Sequence, residues 1–132
     1  MILHLTDLSD EPLQSQIVRQ VRAKILAGDL QPDYNLPSIR ALAKEQKVSV
    51  ITVQRAYETL LRQELIHSRR GKGFFVSKID AGQKRIIARQ RLVESLEKPL
   101  LTAMAEGLVK EDVLEVVREI IKAKAEKKKA KA

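Results

Sequence analysis

Apolar residues recur at three- and four-residue spacing in three stretches of the first half of the chain, which predicts three helices. The first stretch repeats in four-residue steps: Leu13, Ile17, Val21 and Ile25. Ser9 or Asp10 is expected to cap this helix, because both side chains can accept a bond from a free amide. Glu11 and Pro12 would lie in its opening turn, and Gly28 would end it.

The second and third stretches form a helix-turn-helix pattern. Ser38 is expected to cap the second helix, and the third has an inward face made of Val53, Ala56, Tyr57, Leu60 and Leu61. Residues 48–53 are rich in β-branched side chains and would also suit a strand. Ser49 as an N-cap favours a helix that runs to Gln63. The turn between the two helices is expected at residues 46–48.

A hairpin is predicted directly after the third helix. Residues 65–68 and 74–77 read as short strands, joined by Arg, Arg, Gly, Lys and Gly at positions 69–73. The glycines permit a tight turn and a close approach to a ligand, and the three cations suit phosphate groups. Alone, such a tip would equally be an ordinary solvated turn. Its position after a helix-turn-helix pattern favours a DNA-contacting wing.

Two further helices are predicted in the second half of the chain. The first covers residues 83–106, where Pro99 is expected to kink or split it. Glu111 and Asp112 open the second, in the turn where acids are favoured. The apolar positions expected to form a dimer interface are Ile86, Val93, Leu96, Leu100, Met104, Val113, Val117 and Ile120.

Two helices of this length cannot bury such wide apolar faces against each other. A second copy of the chain is expected to cover them in a four-helix interface across a two-fold axis. In the alternative, both helices fold back on the winged part of their own chain.

The fold class expected is mainly α: a winged helix-turn-helix of three helices and a two-stranded wing, followed by a two-helix C-terminal dimerisation hairpin. Residues 1–79 would form the DNA-binding domain and residues 80–126 the helical dimerisation domain. Residues 127–132 would be a basic tail. The lysine-rich end is expected to be frayed and solvated, with non-specific attraction to DNA as the alternative.

Composition narrows the function classes. The chain has 132 residues, 44% of them apolar, with two Tyr, two Phe and no Trp, so the core is expected to be aliphatic. The absence of Cys excludes disulfides and thiolate metal sites and agrees with a reducing cytoplasm. With two His and no paired acids at a useful spacing, no catalytic residue, metal or cofactor is expected.

Membrane insertion and secretion are not expected either. No apolar run approaches the ~18–20 residues that span a bilayer. Residues 1–5 lack a basic flank and are too short for a secretion signal. A cytoplasmic location is therefore expected.

The net charge of +8 is concentrated in two segments. Residues 38–78 have nine Lys or Arg against three Glu, a net +6, and residues 122–132 have six Lys against one Glu, a net +5. The remainder sums to −3. The first basic segment coincides with the helix-turn-helix and its hairpin, which is the charge distribution expected of a nucleic-acid-binding protein.

A family resemblance covers residues 11–77. It is carried by Pro12-Leu13, Ile25-Leu26-Ala27-Gly28-Asp29-Leu30, Pro32, Leu36-Pro37-Ser38, Arg40, Leu42-Ala43, Val48-Ser49, Thr52-Val53, Ala56-Tyr57, Leu60 and Arg69-Arg70-Gly71-Lys72-Gly73-Phe74-Phe75-Val76. Together these positions resemble the DNA-binding domain of the GntR family of bacterial transcription regulators. The short tail of two helices resembles the YtrA-like branch of that family, whose members lack a large effector domain.

The resemblance implies that Arg40 reaches a base edge or phosphate from the second helix. Gln54 and the hydroxyls near the start of the third helix would face the major groove, and Arg70 with Gly71 would enter the minor groove. An Arg fork can pair with guanine, and Gln can pair with adenine. The full set of expected DNA contacts is Ser38, Arg40, Ser49, Val50, Thr52, Gln54, Arg55, Arg69, Arg70, Gly71 and Lys72.

Two positions depart from the family pattern. Many members have Arg or another polar residue where this chain has Val50. Neither Val50 nor Ile51 can hydrogen-bond a base, although either could touch a thymine methyl group. Asp33 replaces a glycine that is usual in the loop, and Asp tolerates the left-handed backbone region better than most residues.

The function expected is that of a dimeric bacterial transcription regulator, more often a repressor, that binds double-stranded DNA at a near-palindromic operator. No ligand-binding domain is recognisable, so no small-molecule effector is assigned. The chain is far too short for the aminotransferase-like domain that some GntR relatives have. The alternative is a winged-helix module for protein or RNA contacts, which Val50 and Ile51 would suit.

Overall fold

The computed structural model describes residues 1–130, and their side chains through residue 128, so the end of the expected basic tail lies outside the described residues. The elements are α1 (Leu13–Leu26), α2 (Ile39–Gln46), α3 (Val50–Arg62), β1 (Ile66–Arg69), β2 (Gly73–Val76), α4 (Ala81–Ala105) and α5 (Lys110–Ala130). Two compact units are present, Met1–Arg85 and Ile86–Ala132. The expected mainly helical fold with a winged helix-turn-helix is confirmed.

The first unit is built around α3. Both α1 and α2 pack against α3, and β1 packs beside its end. The side chains at the centre are fully buried: Ile17, Val21, Leu42, Val53, Ala56, Tyr57 and Leu60. The core is aliphatic apart from Tyr57 and Phe75, and it places the opposite, polar side of α3 in solvent.

Helix α1 begins later than the sequence predicted. Its N-cap is Pro12, which forms no side-chain cap, so the expected cap at Ser9 or Asp10 is wrong. Ser9 Oγ instead accepts from the backbone N–H of Glu11 at 3.1 Å, in a turn that precedes the helix. Glu11 and Pro12 therefore lie before the first turn of α1 rather than inside it.

Two glutamines of α1 hold the N-terminal segment against the helix. The Gln16 side chain accepts from Thr6 N at 2.9 Å and donates to Thr6 O at 2.8 Å. Gln20 forms the same reciprocal pair with the backbone of His4, at 2.7 Å in each direction. Leu3, directly before His4, is buried. Each amide replaces backbone bonds that a strand partner would have supplied.

Serines begin α2 and α3 as predicted. Ser38 Oγ accepts from Ala41 N and Ser49 Oγ accepts from Thr52 N, each at 3.1 Å. Helix α2 continues through Gln46, so the turn begins one residue later than expected, at Lys47. Lys47 has a left-handed backbone, with φ 55°, which reverses the chain without a glycine.

The wing is an antiparallel pair in which Ile66 faces Val76 and Arg69 faces Gly73. Both strands are shifted by one residue towards the tip relative to the prediction. A third segment adds to the edge of β2: Leu36 N donates to Phe74 O at 2.9 Å, and Val76 N donates to Tyr34 O at 3.0 Å. These bonds fix the wing to the loop that leads into α2.

Helix α4 begins at a reciprocal cap. Asp80 Oδ1 accepts from Gln83 N at 2.8 Å, and Gln83 Oε1 accepts from Asp80 N at 3.2 Å. The helix continues through Pro99, so the expected split does not occur. Gly107, with φ 107°, supplies the left-handed residue that ends the helix.

Helix α5 extends further than the sequence predicted. It has Glu111 and Asp112 in its first turn, as expected. It then continues through the lysine-rich segment to Ala130, so the expectation of a frayed end is wrong for the part of the tail that the structure describes. Lys and Ala both have good helix propensity, and cations are favoured at the C-terminal end of a helix. No helix among the described residues is long and apolar enough to cross a membrane.

Candidate nucleic-acid interface

The start of α3 presents two hydroxyl groups on the outer surface of the first unit. The hydroxyls of Ser49 and Thr52 share a hydrogen bond of 2.7 Å, and Ser49 Oγ also accepts from Thr52 N. One of the two hydroxyl protons is used in this pair, so the other remains available to a phosphate oxygen or a base acceptor. The Ser49 cap therefore begins α3 and leaves one hydroxyl donor available at the start of the helix.

The next exposed positions on α3 are apolar and then polar. Val50 is 46% exposed and Ile51 is 56% exposed, which agrees with the expectation that they face outward. Gln54 and Arg55 are also exposed, and Gln54 Nε2 donates to Glu58 Oε1 at 3.2 Å. The Gln54 oxygen and its second N–H stay free of this bond and can pair with the edge of an adenine.

Tyr57 joins the three parts of the candidate interface. Its hydroxyl donates to the carbonyl oxygen of Pro37 at 2.7 Å, immediately before the cap of α2. Its ring meets Phe74 of β2 edge-on, with 5.1 Å between ring centroids. Burial raises the pKa of the Tyr57 hydroxyl, so it stays protonated as a donor. One side chain of α3 thus contacts both the start of α2 and the wing.

Arg40 lies near the start of α2, beside the Ser38 cap, and its side chain is exposed. Within the described residues it is not paired with an acid, and the same holds for Arg55, Arg70 and Lys72. Four solvated cations without a protein partner produce a positive surface that attracts a polyanion. The sequence predicted all four as DNA contacts.

The wing tip is a three-residue turn at positions 70–72. Lys72 N donates to Arg69 O at 2.9 Å and closes the turn. Gly71 has φ 74° and Gly73 has φ 106°, a backbone region that side chains disfavour, so a side chain at either position would be strained. Arg70 and Lys72 are both exposed at this tip.

Arg69, the last residue of β1, contacts both the wing and the loop before α2. Its guanidinium forms a salt bridge of 2.6 Å with Asp33 Oδ1 and lies 4.3 Å above the ring centroid of Phe75. Asp33 itself has φ 69°, which confirms that it takes the left-handed position usual for glycine. The Arg69 bond joins the wing to the preceding loop, and the side chain remains 45% exposed, so its predicted contact with DNA stays a prediction.

Sequence reasoning did not identify this loop as part of the site. Asp33 and Tyr34 both bond β2 through their backbones, and Asp33 also pairs with Arg69. The local sequence offered one weak signal: Tyr34 and Leu36 are two residues apart, the spacing of an extended segment with one apolar side. That spacing suits a strand but does not identify the wing as its partner.

The second unit presents a wide apolar surface. Seven of the eight positions expected to form a dimer interface are between 37% and 70% exposed, and Val113 is half-buried. A cleft of about 370 Å³ lies between α4 and α5. Its lining is apolar: Leu96, Pro99, Leu100, Ala103, Leu108, Val113, Leu114, Val116, Val117 and Ile120. Five of the expected interface positions line it.

A metal centre has no candidate ligands in the part of the chain that the structure describes, where no group of three or more His, Asp or Glu comes together. His67 Nδ1 is 3.1 Å from Ser77 Oγ, and the His67 ring stacks against Phe75. These contacts make His67 a packed residue of the wing.

Comparison with known proteins agrees with this geometry. The model of bacterial regulatory proteins of the gntR family matches residues 13–76. The HTH-type transcriptional regulator YhcF of Bacillus subtilis is 30% identical over 103 residues, which are 78% of this chain and 77% of YhcF. The HTH-type transcriptional repressor YtrA of the same organism is 28% identical over 120 residues, 90% of this chain and 92% of YtrA.

A solved structure extends the likeness beyond the wing. A GntR family transcriptional regulator from Listeria monocytogenes is 27% identical and matches with a TM-score of 0.66. The match covers 84% of this chain and 96% of that chain. The similarity therefore includes most of the chain and more than the helix-turn-helix segment alone.

Proposed function

This chain belongs to the GntR family of bacterial DNA-binding transcription regulators, resembling its YtrA-like members, and we propose that it acts as a homodimeric repressor that binds a near-palindromic operator. The observation that carries the DNA-reading part is the group of exposed, unpaired cations on α2, α3 and the wing, beside a polar helix start. Repression is proposed because the similar protein YtrA of Bacillus subtilis is a transcriptional repressor.

Helix α3 enters the major groove with Ser49, Thr52 and Gln54 towards the DNA. Gln54 reads a base, and the hydroxyl pair fixes the register on a phosphate, as short hydroxyl side chains commonly do. Val50 and Ile51 add apolar contact with thymine methyl groups. Phosphate groups offer these two side chains no apolar contact, whereas a thymine methyl group does. Val50 and Ile51 therefore favour operators with thymine at the positions they face.

Arg40 and the wing complete the contact. Arg40 reaches a guanine edge or a phosphate from α2, and Arg70 with Gly71 enters the minor groove, where a Cβ at position 71 would be strained. Lys72 and Arg55 contact phosphates. The Tyr57 contacts with Pro37 and Phe74 keep these parts in a fixed mutual orientation, so that one recognition geometry is retained between binding events.

Dimerisation places two such surfaces on one duplex. The apolar side of the second unit is too exposed for a chain that acts alone, and a second copy would cover it. Two half-sites would then be separated by roughly one turn of DNA, ~34 Å, or a multiple of it. The protein would act in the cytoplasm, without catalytic activity and without a membrane partner.

A charged substitution in the apolar cleft tests the dimer. We expect Leu100→Glu to give a monomer at micromolar concentration in sedimentation velocity, because a carboxylate would be buried against an aliphatic partner. The monomer should lose most of its operator affinity, because it contacts only one half-site. Ser95→Glu is the matched control: it introduces the same carboxylate at an exposed position that does not line the cleft, about 140° around α4 from Leu100, and it should remain dimeric. A dimeric Leu100→Glu variant would contradict the proposed interface.

A further inference from the structure

Between residues 122 and 128, α5 has a cationic side and a side that contains the one acid of this segment. At ~100° per residue, Lys124, Lys127 and Lys128 lie within a sector of about 100°, and we name them the lysine triad. Lys122 and Glu126 lie on the other side, one turn apart. All five side chains are exposed, and the triad forms no salt bridge with any residue that the structure describes.

The lysine triad continues the apolar side of its helix. At the same ~100° per residue, Val113, Val117 and Ile120 lie on the side of α5 that the triad occupies further along. The last large apolar residue is Ile121, after which the segment contains only Lys, Ala and Glu up to residue 128. An aliphatic partner that covers the apolar part cannot cover the triad, since burying unpaired ammonium groups is strongly unfavourable.

The neighbouring helix offers no compensating acid at the same level. Arg89 of α4 lies about four helical turns from the connecting turn, as the lysine triad does on α5. Arg89 is exposed and, among the described residues, forms no salt bridge. The end of the second unit away from its connecting turn is therefore cationic on both helices.

We propose that the lysine triad is a second, sequence-independent contact for the phosphate backbone of duplex DNA. The inference rests on the proposed function, because a DNA-binding regulator brings a dense polyanion to the protein. Lys124 and Lys128 are one helical turn apart, about 6 Å, and phosphates on one strand advance about 3.4 Å per nucleotide, so flexible lysines can reach nearby phosphates. The contact adds affinity and leaves base preference to the first unit.

The test compares the full-length protein with the triple variant K124Q/K127Q/K128Q. Gln has nearly the helix propensity of Lys, so α5 should be retained. Dissociation constants are measured by fluorescence anisotropy on an operator duplex and on a scrambled duplex, between 50 and 200 mM KCl. Each phosphate contact contributes about −0.9 to the slope of log affinity against log salt. The variant's slope should therefore be shallower by up to about 3 per protomer on both duplexes.

Over that salt range the wild type should lose up to roughly 40-fold more affinity per protomer than the variant. The ratio of operator to scrambled affinity should change less than about two-fold, since the lysines contact no bases. The matched control is K98Q/K110Q/R118Q, which removes the same charge from exposed positions elsewhere on α4 and α5. Its slope should remain that of the wild type.

Several outcomes would overturn the inference. An unchanged slope in the triad variant, or an equal loss in the control, would mean that the triad makes no specific contact with the backbone. A weaker dimer in the triad variant would assign the lysines to acids of the second copy instead. A triad-dependent affinity for phosphatidylglycerol vesicles with an unchanged DNA slope would assign them to lipid. The proposed function fails separately, if the wild type does not distinguish operator from scrambled DNA.

Discussion

Removing the Tyr57 hydroxyl isolates the bond that joins α3 to the start of α2. In Tyr57→Phe the ring and its edge contact with Phe74 remain, while the 2.7 Å bond to Pro37 O is lost. A buried hydrogen bond contributes about 0.5–1.5 kcal/mol, and a buried acceptor without a donor adds about 1–3 kcal/mol. Because Pro37 is only half-buried, water partly replaces the lost donor. We therefore expect the free energy of unfolding to fall by about 1–2 kcal/mol.

The difference in free energy of unfolding between wild type and Tyr57→Phe should decrease at high pH. The pKa of Tyr57 is raised in the folded state, chiefly by burial, so the folded protein holds this proton more tightly than the unfolded chain does. The associated stability is fully present below the unfolded pKa of about 10 and is lost as the pH rises above it. At pH 11 the free energy of unfolding of the wild type should therefore be about 1.4 kcal/mol lower through this group alone. Tyr57→Phe has no hydroxyl to titrate and should not show this loss.

Urea unfolding followed by circular dichroism measures both effects. Wild type and Tyr57→Phe are compared at one fixed protein concentration, because dimerisation contributes to apparent stability. The variant should be less stable at pH 7, and the gap should narrow between pH 10 and pH 11. Equal stabilities at pH 7, or a gap that widens with pH, would refute the reasoning about this side chain.

Two further substitutions separate base reading from phosphate contact. Arg40→Ala should cost about 1–3 kcal/mol of operator binding and relax preference at one position in each half-site, and an unchanged preference profile would reject its base-reading role. Lys72→Ala should weaken binding to all sequences similarly and make the salt slope shallower by about 1. Glu64, with φ 58°, follows the end of α3, so Glu64→Gly should raise the free energy of unfolding by about 0.5–1 kcal/mol. Gln63→Gly, at φ −81°, should lower it instead.

The sequence predicted the helices of the first unit because their apolar spacing and serine caps are local signals. Ser38 and Ser49 both cap as expected, and the buried side of α3 is the apolar side of its pattern. The ends of α2 and α3 each lie one residue from the predicted position, and no glycine marks them, because the left-handed residues there are Lys47 and Glu64. A residue with a side chain keeps a left-handed backbone only where the surrounding structure holds it there, and the local sequence pattern does not show that surrounding structure.

The roles of polar residues that act over long sequence distances were not predictable in this way. Arg69 pairs with Asp33 and stacks on Phe75, two partners that its position in a basic hairpin did not indicate. Gln16 and Gln20 fix the N-terminal segment by bonds to backbone groups far along the chain. Such bonds depend on the folded arrangement, since nothing in the local sequence specifies the partner.

In helix α5 the local sequence did contain the signal, and the prediction gave it too little weight. A run of lysines suggested a frayed tail, yet Lys and Ala are good helix formers at a C-terminal end, and the helix reaches Ala130. Charge repulsion weakens such a helix only slightly, because each pair of like charges is exposed. Propensity therefore outweighed repulsion over the described residues.

Selection of bound fragments from random duplex DNA tests the central claim most directly. The account predicts enrichment of a near-palindromic sequence whose half-sites are about one helical turn, or a multiple, apart, with binding that weakens steeply as salt increases. It also predicts that single-stranded RNA competes poorly for the selected duplex. A protein that enriches no sequence, or that binds RNA as tightly as the selected duplex, would contradict the assignment as an operator-binding regulator.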